Sequence, residues 1–155
     1  LENALGGEHY SDPDLTCREH PGRVEEYELE RLRNMMIDMI RQPEDFKQWF
    51  GSFVTTPRHE LDIAPAEPAY EEAEVVDALL GGEKLSRLSG LRVLHICDSF
   101  FVHSEQLDTT DAGALDALCR YTSLGQEELG SGLKNPAFVS ELTRLINQGY
   151  WYFEE

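Results

Sequence analysis

Lysine and arginine are scarce in this 155-residue sequence: 13 of them face 30 aspartates and glutamates, for a formal net charge of -17. The shortage is uniform, since residues 1–70 hold 15 acidic against 7 basic groups and residues 71–155 hold 15 against 6. Gripping a phosphate backbone takes clustered cations, so nucleic acid is disfavoured as a partner and a basic protein is favoured. Cysteine is nearly absent. Cys17, Cys97 and Cys119 are odd in number and widely spaced, with no C-x-x-C pair, which excludes a disulfide framework and a thiolate zinc site and suits a reducing, cytoplasmic setting. Cys97, within the apolar run from Val93, and Cys119, behind Leu115 and Leu118, read as small buried hydrophobes. No apolar run is long enough to span a bilayer, and no basic stretch followed by an apolar one opens the chain, so neither a membrane partner nor secretion is expected. The phosphate-cradling motifs G-x-G-x-x-G and G-x-x-x-x-G-K-[ST] are missing, and in the stretch Gly125 to Gly132 the pair Glu127-Glu128 opposes a phosphate, which leaves a turn between helices.

Helical periodicity is what the sequence has instead. The opening, Leu1 to Gly7, reads as a helix tail that ends at glycine, as though the chain began inside something longer, and a polar linker follows to residue 23. Over 24–54 two helices are expected. In the first, Val24 to Arg41, the residues Leu29, Leu32, Met35, Met36, Met39 and Ile40 share one face. Pro43 stops or kinks it, and a second, Glu44 to Phe50, presents Phe46, Trp49 and Phe50 before Gly51 closes or interrupts it. Two helices are too few to bury such faces alone. They pack into an intramolecular core, lie on a further domain, or pair with the same helices of a second chain, where methionine and aromatics are enriched.

Residues 55–70, broken by Pro57, Pro65 and Pro68, read as a stiff connector, with a domain boundary near Tyr70. From 71 to 155 the pattern is α+β. A helix over Glu72 to Leu80 ends at Gly81-Gly82, and Lys84 to Leu88 and Leu91 to Ile96 form a hairpin around Ser89-Gly90. Phe100 to Val102 adds a strand, Asp111 to Tyr121 a helix, Asn135 to Asn147 a proline-initiated helix, and Tyr150 to Phe153 a last strand. The mixture fits an acidic winged-helix-like domain whose helices lack the cations of a DNA reader: Arg120 stands alone in one and Arg144 faces Glu141 in the other.

The chemistry is sparse. An iron facial triad needs two histidines and a carboxylate converging, yet no histidine follows His103-Ser104-Glu105, and the other four precede it in different elements. His95 and Cys97 share a strand face but lack an evident orienting acid. Arg58 with Glu60 or Asp62 is placed to lock two modules by charge-assisted hydrogen bonds or to edge a substrate groove.

Several unusual segments carry a resemblance across essentially the whole chain. They are Tyr10 to Pro13, Gln42 to Gly51 (QPEDFKQWFG), Arg58 to Pro65 (RHELDIAP), Leu88 to Leu94 (LSGLRVL) and Asn147 to Glu154 (NQGYWYFE). Together they resemble the bacterial ribosomal-protein L16 arginine hydroxylases, cupin-like JmjC oxygenases that use Fe(II) and 2-oxoglutarate. In that family a double-stranded β-helix catalytic domain precedes a helical dimerisation region and a winged helix. The resemblance implies that the catalytic domain, with its iron and 2-oxoglutarate ligands, is absent from this chain. Residues 24–54 are then the dimerisation region of a homodimer, and Leu32, Met35, Met36, Met39, Phe46, Trp49 and Phe50 its candidate interface. Arg58, Glu60 and Asp62 are candidate interdomain contacts, and no residue is assigned to catalysis, metal or cofactor. The alternatives are an independent acidic docking module for a basic partner, or a parent that hydroxylates a histidine of a ribosomal protein.

Overall fold

The computed structural model describes residues 24–107 and 111–154, with Met39 known by its backbone alone. The expected helix tail and linker over 1–23, and Cys17, lie outside the described residues. The chain divides into two compact units, residues 1–50 and 51–155.

Helix α1 spans Glu26–Arg41, with Glu26 and Glu28 in its first turn and Arg41 in its last, each where the helix dipole favours that charge. Helix α2 spans Pro43–Thr55 and opens on the proline, whose missing N–H costs nothing at a helix start. It does not close at Gly51 as expected. Gly51 is buried beneath the Phe101 ring, so its missing side chain makes room for packing and the helix runs on for another turn. That last turn lies in the second unit and is held from three directions. The Thr55 hydroxyl donates to the Gly51 carbonyl at 2.7 Å and accepts the Ser104 N–H at 2.9 Å, while Arg92 Nη1 caps the Val54 carbonyl at 3.1 Å.

Helix α3, Glu72–Leu80, forms where expected, opened by the Glu71/Glu74 capping box and stopped as Gly82 takes φ +97°. The strands are β1 (Leu85–Arg87), β2 (Val93–Ile96), β3 (Ser99–Val102), β4 (Glu105–Leu107), β5 (Ser123–Leu124) and β6 (Trp151–Phe153). The expected hairpin between residues 84–88 and 91–96 is not formed. Strand β1 is central in the sheet β5-β1-β6, so both its edges are taken, and the Ser89-Gly90 turn sends the chain into a second sheet, β2-β3-β4. The hairpins of that sheet turn at Cys97-Asp98 and at His103-Ser104, where Cys97, His103 and Ser104 take positive φ. Cys97 is therefore exposed at a turn tip and is not the buried hydrophobe its apolar run suggested.

Helices α4 (Ala112–Arg120), α5 (Gln126–Leu129) and α6 (Pro136–Asn147) complete the second unit, with a 3-10 turn over Gly130–Lys134. Gly125 to Gly132 is thus largely helical, where a plain turn was expected. Asp111 caps α4 and Asn135 caps α6 through side-chain oxygens. Helix α6 buries Phe138, Leu142, Leu145 and Ile146 in the same core as Trp151, Leu79 and Leu115, each side chain contributing roughly 1.5–3 kcal/mol. The result is a helical segment followed by a winged-helix build with two small open sheets. No helix among the described residues is long and apolar enough to cross a membrane.

Residues 56–71 form neither helix nor strand, yet they are fastened along the second unit. Leu61 and Ile63 pack on its core. Ala66 N–H donates to the Asn147 carbonyl at 3.1 Å, and the Asn147 side chain exchanges two hydrogen bonds with the Tyr70 backbone, at 2.8 and 3.0 Å. Gly149, at φ +80°, lies so close to the Ala64 carbonyl that no side chain could stand there.

Candidate functional site

The candidate interface residues lie on α1 and the first turns of α2, in the first unit. Along α1 the spacing 29, 32, 36, 40 repeats every three to four residues, and Leu29, Leu32, Met36 and Ile40 are 41–62 % exposed. Met35 is half-buried, and Met39's side chain is outside the described residues. On α2, Phe46 stacks on Phe50 at 6.2 Å and tilts against half-buried Trp49 at 5.8 Å, while Phe46 and Phe50 keep 37 % and 40 % of their surface open. Large apolar side chains are thus left open along one face of α1.

Arg58, Glu60 and Asp62 are all exposed, and no side-chain hydrogen bond or ion pair joins them among the described residues. The contacts that fasten their segment come from Leu61, Ile63 and the clamp on Tyr70 by Asn147, 77 residues beyond that tyrosine.

Of the groups with possible chemistry, His95 and Glu105 are held by structural neighbours. His95, on β2, stacks on Phe100 with centroids 4.0 Å apart, and its Nε2 lies 2.8 Å from the Cys97 carbonyl, not the sulfur. Its Nδ1 lies 3.4 Å from Asp116 of α4, an orienting acid that no local spacing announced. With one ring nitrogen on a carbonyl, this pair cannot activate a thiol. His103 Nδ1 is buried without a partner among the described residues, its ring 5.1 Å from Tyr150. Glu105 reaches Arg144. Among the described residues no three His, Cys, Asp or Glu come together in a way that could hold a metal.

Arg144 is the one cation of α6, and it is fully engaged. Glu141 takes it by a fork at 2.6 and 3.0 Å, and its Nη1 donates to Glu105 at 3.1 Å and to Gln148 at 3.0 Å. The hydrogen bonds to Glu141 come first among the causes that raise its pKa above the ordinary arginine range. On α4, Arg120 is held by Asp116 at 3.1 Å. Neither helix offers a phosphate backbone an unpaired cation.

Burial, and then the charge of Asp116, push the Cys119 thiol from an ordinary 9.0 up to about 11, against a smaller opposing pull from Arg87. At pH 8 iodoacetamide should therefore alkylate exposed Cys97 well before Cys119, as peptide mass spectrometry would read. The sign at alkaline pH follows. Below 9.0 the thiol is protonated folded and unfolded alike; between 9.0 and about 11 the unfolded chain ionises first, so Cys119 weakens the fold as pH rises through that window. Equal labelling of both thiols would show that Cys119 is open.

The ROXA-like winged helix family model matches residues 37–152. Over 154 residues the chain is 50% identical to the ribosomal protein uL16 3-hydroxylase of Escherichia coli (strain K12), covering 99% of this chain and 41% of that protein. The X-ray structure of E. coli YcfD aligns with a TM-score of 0.77 at 50% identity, over 99% of this chain and 41% of that one. The structure of YcfD, a ribosomal oxygenase from E. coli, in complex with cobalt and 2-oxoglutarate aligns with a TM-score of 0.78 at 49% identity, covering 99% of this chain and 43% of that one. The chain thus spans about two fifths of the length of the curated relative it matches. With three quarters of its length under one family model and half its residues shared with that relative, the chain belongs to the ROXA-like winged helix family.

Proposed function

We propose that this chain is the C-terminal accessory part of a cytoplasmic Fe(II)- and 2-oxoglutarate-dependent oxygenase that hydroxylates an arginine of ribosomal protein L16. In this reading its own work is to pair two copies of the enzyme and to support docking of the basic substrate. The observation that carries it is the 50% identity to a uL16 3-hydroxylase, sustained over 99% of this chain. Within the second unit, His95 is held by the Cys97 carbonyl and Glu105 by Arg144. Iron and 2-oxoglutarate would then be held by a preceding catalytic region. The open apolar face of α1 and α2 supports homodimer pairing, and the charge of -17 supports a basic protein partner over nucleic acid.

A chimera tests the reading. Residues 1–155 would replace the matching portion of the E. coli enzyme, and L16 would be followed by mass spectrometry for the gain of one oxygen at arginine. The chimera is expected to hydroxylate L16 and the chain alone to leave it unchanged. A folded but inactive chimera, or hydroxylation by the chain alone, would overturn the proposal.

A further inference from the structure

Between positions 59 and 83 the sequence holds eight carboxylates and no lysine or arginine. The fold turns part of this run into a groove of about 490 Å³, between residues 66–70 and helix α3. Small apolar side chains such as Ala69 and Ala78 line it together with Tyr70, and its charged members are Glu67, Glu74 and Glu83, without a lysine or arginine among them. All three glutamates are exposed. One oxygen of Glu74 accepts the Glu71 N–H at 2.8 Å, and no cation pairs with any of the three among the described residues. The next cation along the chain, Lys84, acts elsewhere. Glu128 is held below the ordinary carboxylate range first by the Gly125 N–H, Glu154 first by Ser86 and then Ser123, and Lys84 adds to both.

The groove is also built in advance. Its outer wall is clamped by the two hydrogen bonds between Asn147 and the Tyr70 backbone. Tyr70 packs T-shaped with Phe153, centroids 5.3 Å apart, and stays 38 % exposed. A ligand would therefore meet ordered walls, with little loop entropy to lose. An exposed aromatic ring beside unpaired carboxylates, over an apolar lining, suits a long cationic side chain with an apolar stem.

We infer that this groove is a docking site for a basic segment of a partner protein, seating a lysine or arginine side chain against Tyr70 among Glu67, Glu74 and Glu83. The inference concerns the second unit alone and stands whether or not the chain serves an oxygenase.

The test titrates the whole chain with an Arg-Gly-Arg-Gly-Arg peptide at low salt, following backbone amide shifts and calorimetry. Shifts should concentrate at Ala66, Ala69 and Ala78. Glu67→Gln with Glu83→Gln, which spares the capping role of Glu74, should weaken binding roughly tenfold, the sum expected of two partly exposed charge pairs. Glu60→Gln with Glu127→Gln removes the same charge outside the groove and should cost about twofold or less, through the general field alone. All four side chains are exposed, so thermal unfolding should be unchanged. Equal weakening by both pairs would assign binding to the overall negative field and overturn the site. So would shifts that avoid the groove, or equally tight binding of the same peptide with citrulline for arginine.

Discussion

Alanine at position 51 is expected to destabilise the second unit, against the direction set by helix propensity. In the interior of a helix, alanine is worth about 1 kcal/mol over glycine. Here a Cβ would fall inside the Phe101 ring. Phe101 cannot give way easily: it is 0% exposed, and its strand β3 is paired on both sides. Overpacking of this kind costs about 1–3 kcal/mol, so Gly51→Ala should lose up to about 2 kcal/mol net. Gly51→Val, with two further carbons and a stiff χ1, should lose about 3 kcal/mol or more. Urea unfolding followed by Trp151 fluorescence in a Trp49→Phe background would read both values. Phe101→Leu should relieve the clash, so the double variant would be more stable than the sum of the singles, a coupling that only direct contact produces. A higher urea midpoint for Gly51→Ala would show that the last turn of α2 does not pack on β3.

Glutamate at Met36 and Phe46 is expected to leave a monomer, if the proposed pairing runs through α1 and α2. Both residues are already 47% and 37% exposed, so the substitutions cost little within the unit itself. Half-buried Met35 and Trp49 are poorer choices, because changing them would also disturb packing. Buried apolar anchors are worth about 2 kcal/mol or more each at an interface, so the double variant should weaken pairing by roughly a thousandfold. Sedimentation would give the mass and circular dichroism the helix content. A folded variant of unchanged mass would place these residues off the interface.

The helices were largely legible in the sequence, because their signals are local. Periodicity and end signals located α3 within Glu72–Leu80, α4 behind Asp111, and α6 between the Asn135 cap and the glycine at 149. The four apolar residues chosen for α6 are all buried, and Val139, not chosen, is buried with them. Strand partners were not legible. Leu85 pairs with Leu124 and Phe153, and no spacing within residues 84–96 distinguishes that pairing from a hairpin with β2. The same locality explains the misreading of Cys97: an apolar neighbourhood suggests burial, while the turn that exposes it depends on which strand comes next. In the candidate site, spacing marked the apolar face of α1, and only the structure showed that Leu29, Leu32, Met36 and Ile40 of it stay open. The groove beside α3 did not follow from spacing, since its carboxylates were visible only as negative charge until Asn147 drew the chain at Tyr70 against the unit.

What the sequence determined by itself was therefore the acidic character, the helices with their apolar faces, and the kinship that covers the whole chain. Only the tertiary structure decided that Gly51 is a packing position, that Arg144 is neutralised by Glu141 and Glu105, and that residues 66–70 wall a groove. The division has one physical cause. Propensity, capping and charge act between residues a few positions apart, whereas Gly51 meets Phe101, Arg144 meets Glu105 and Tyr70 meets Asn147 only after the core has closed and brought distant backbone into contact.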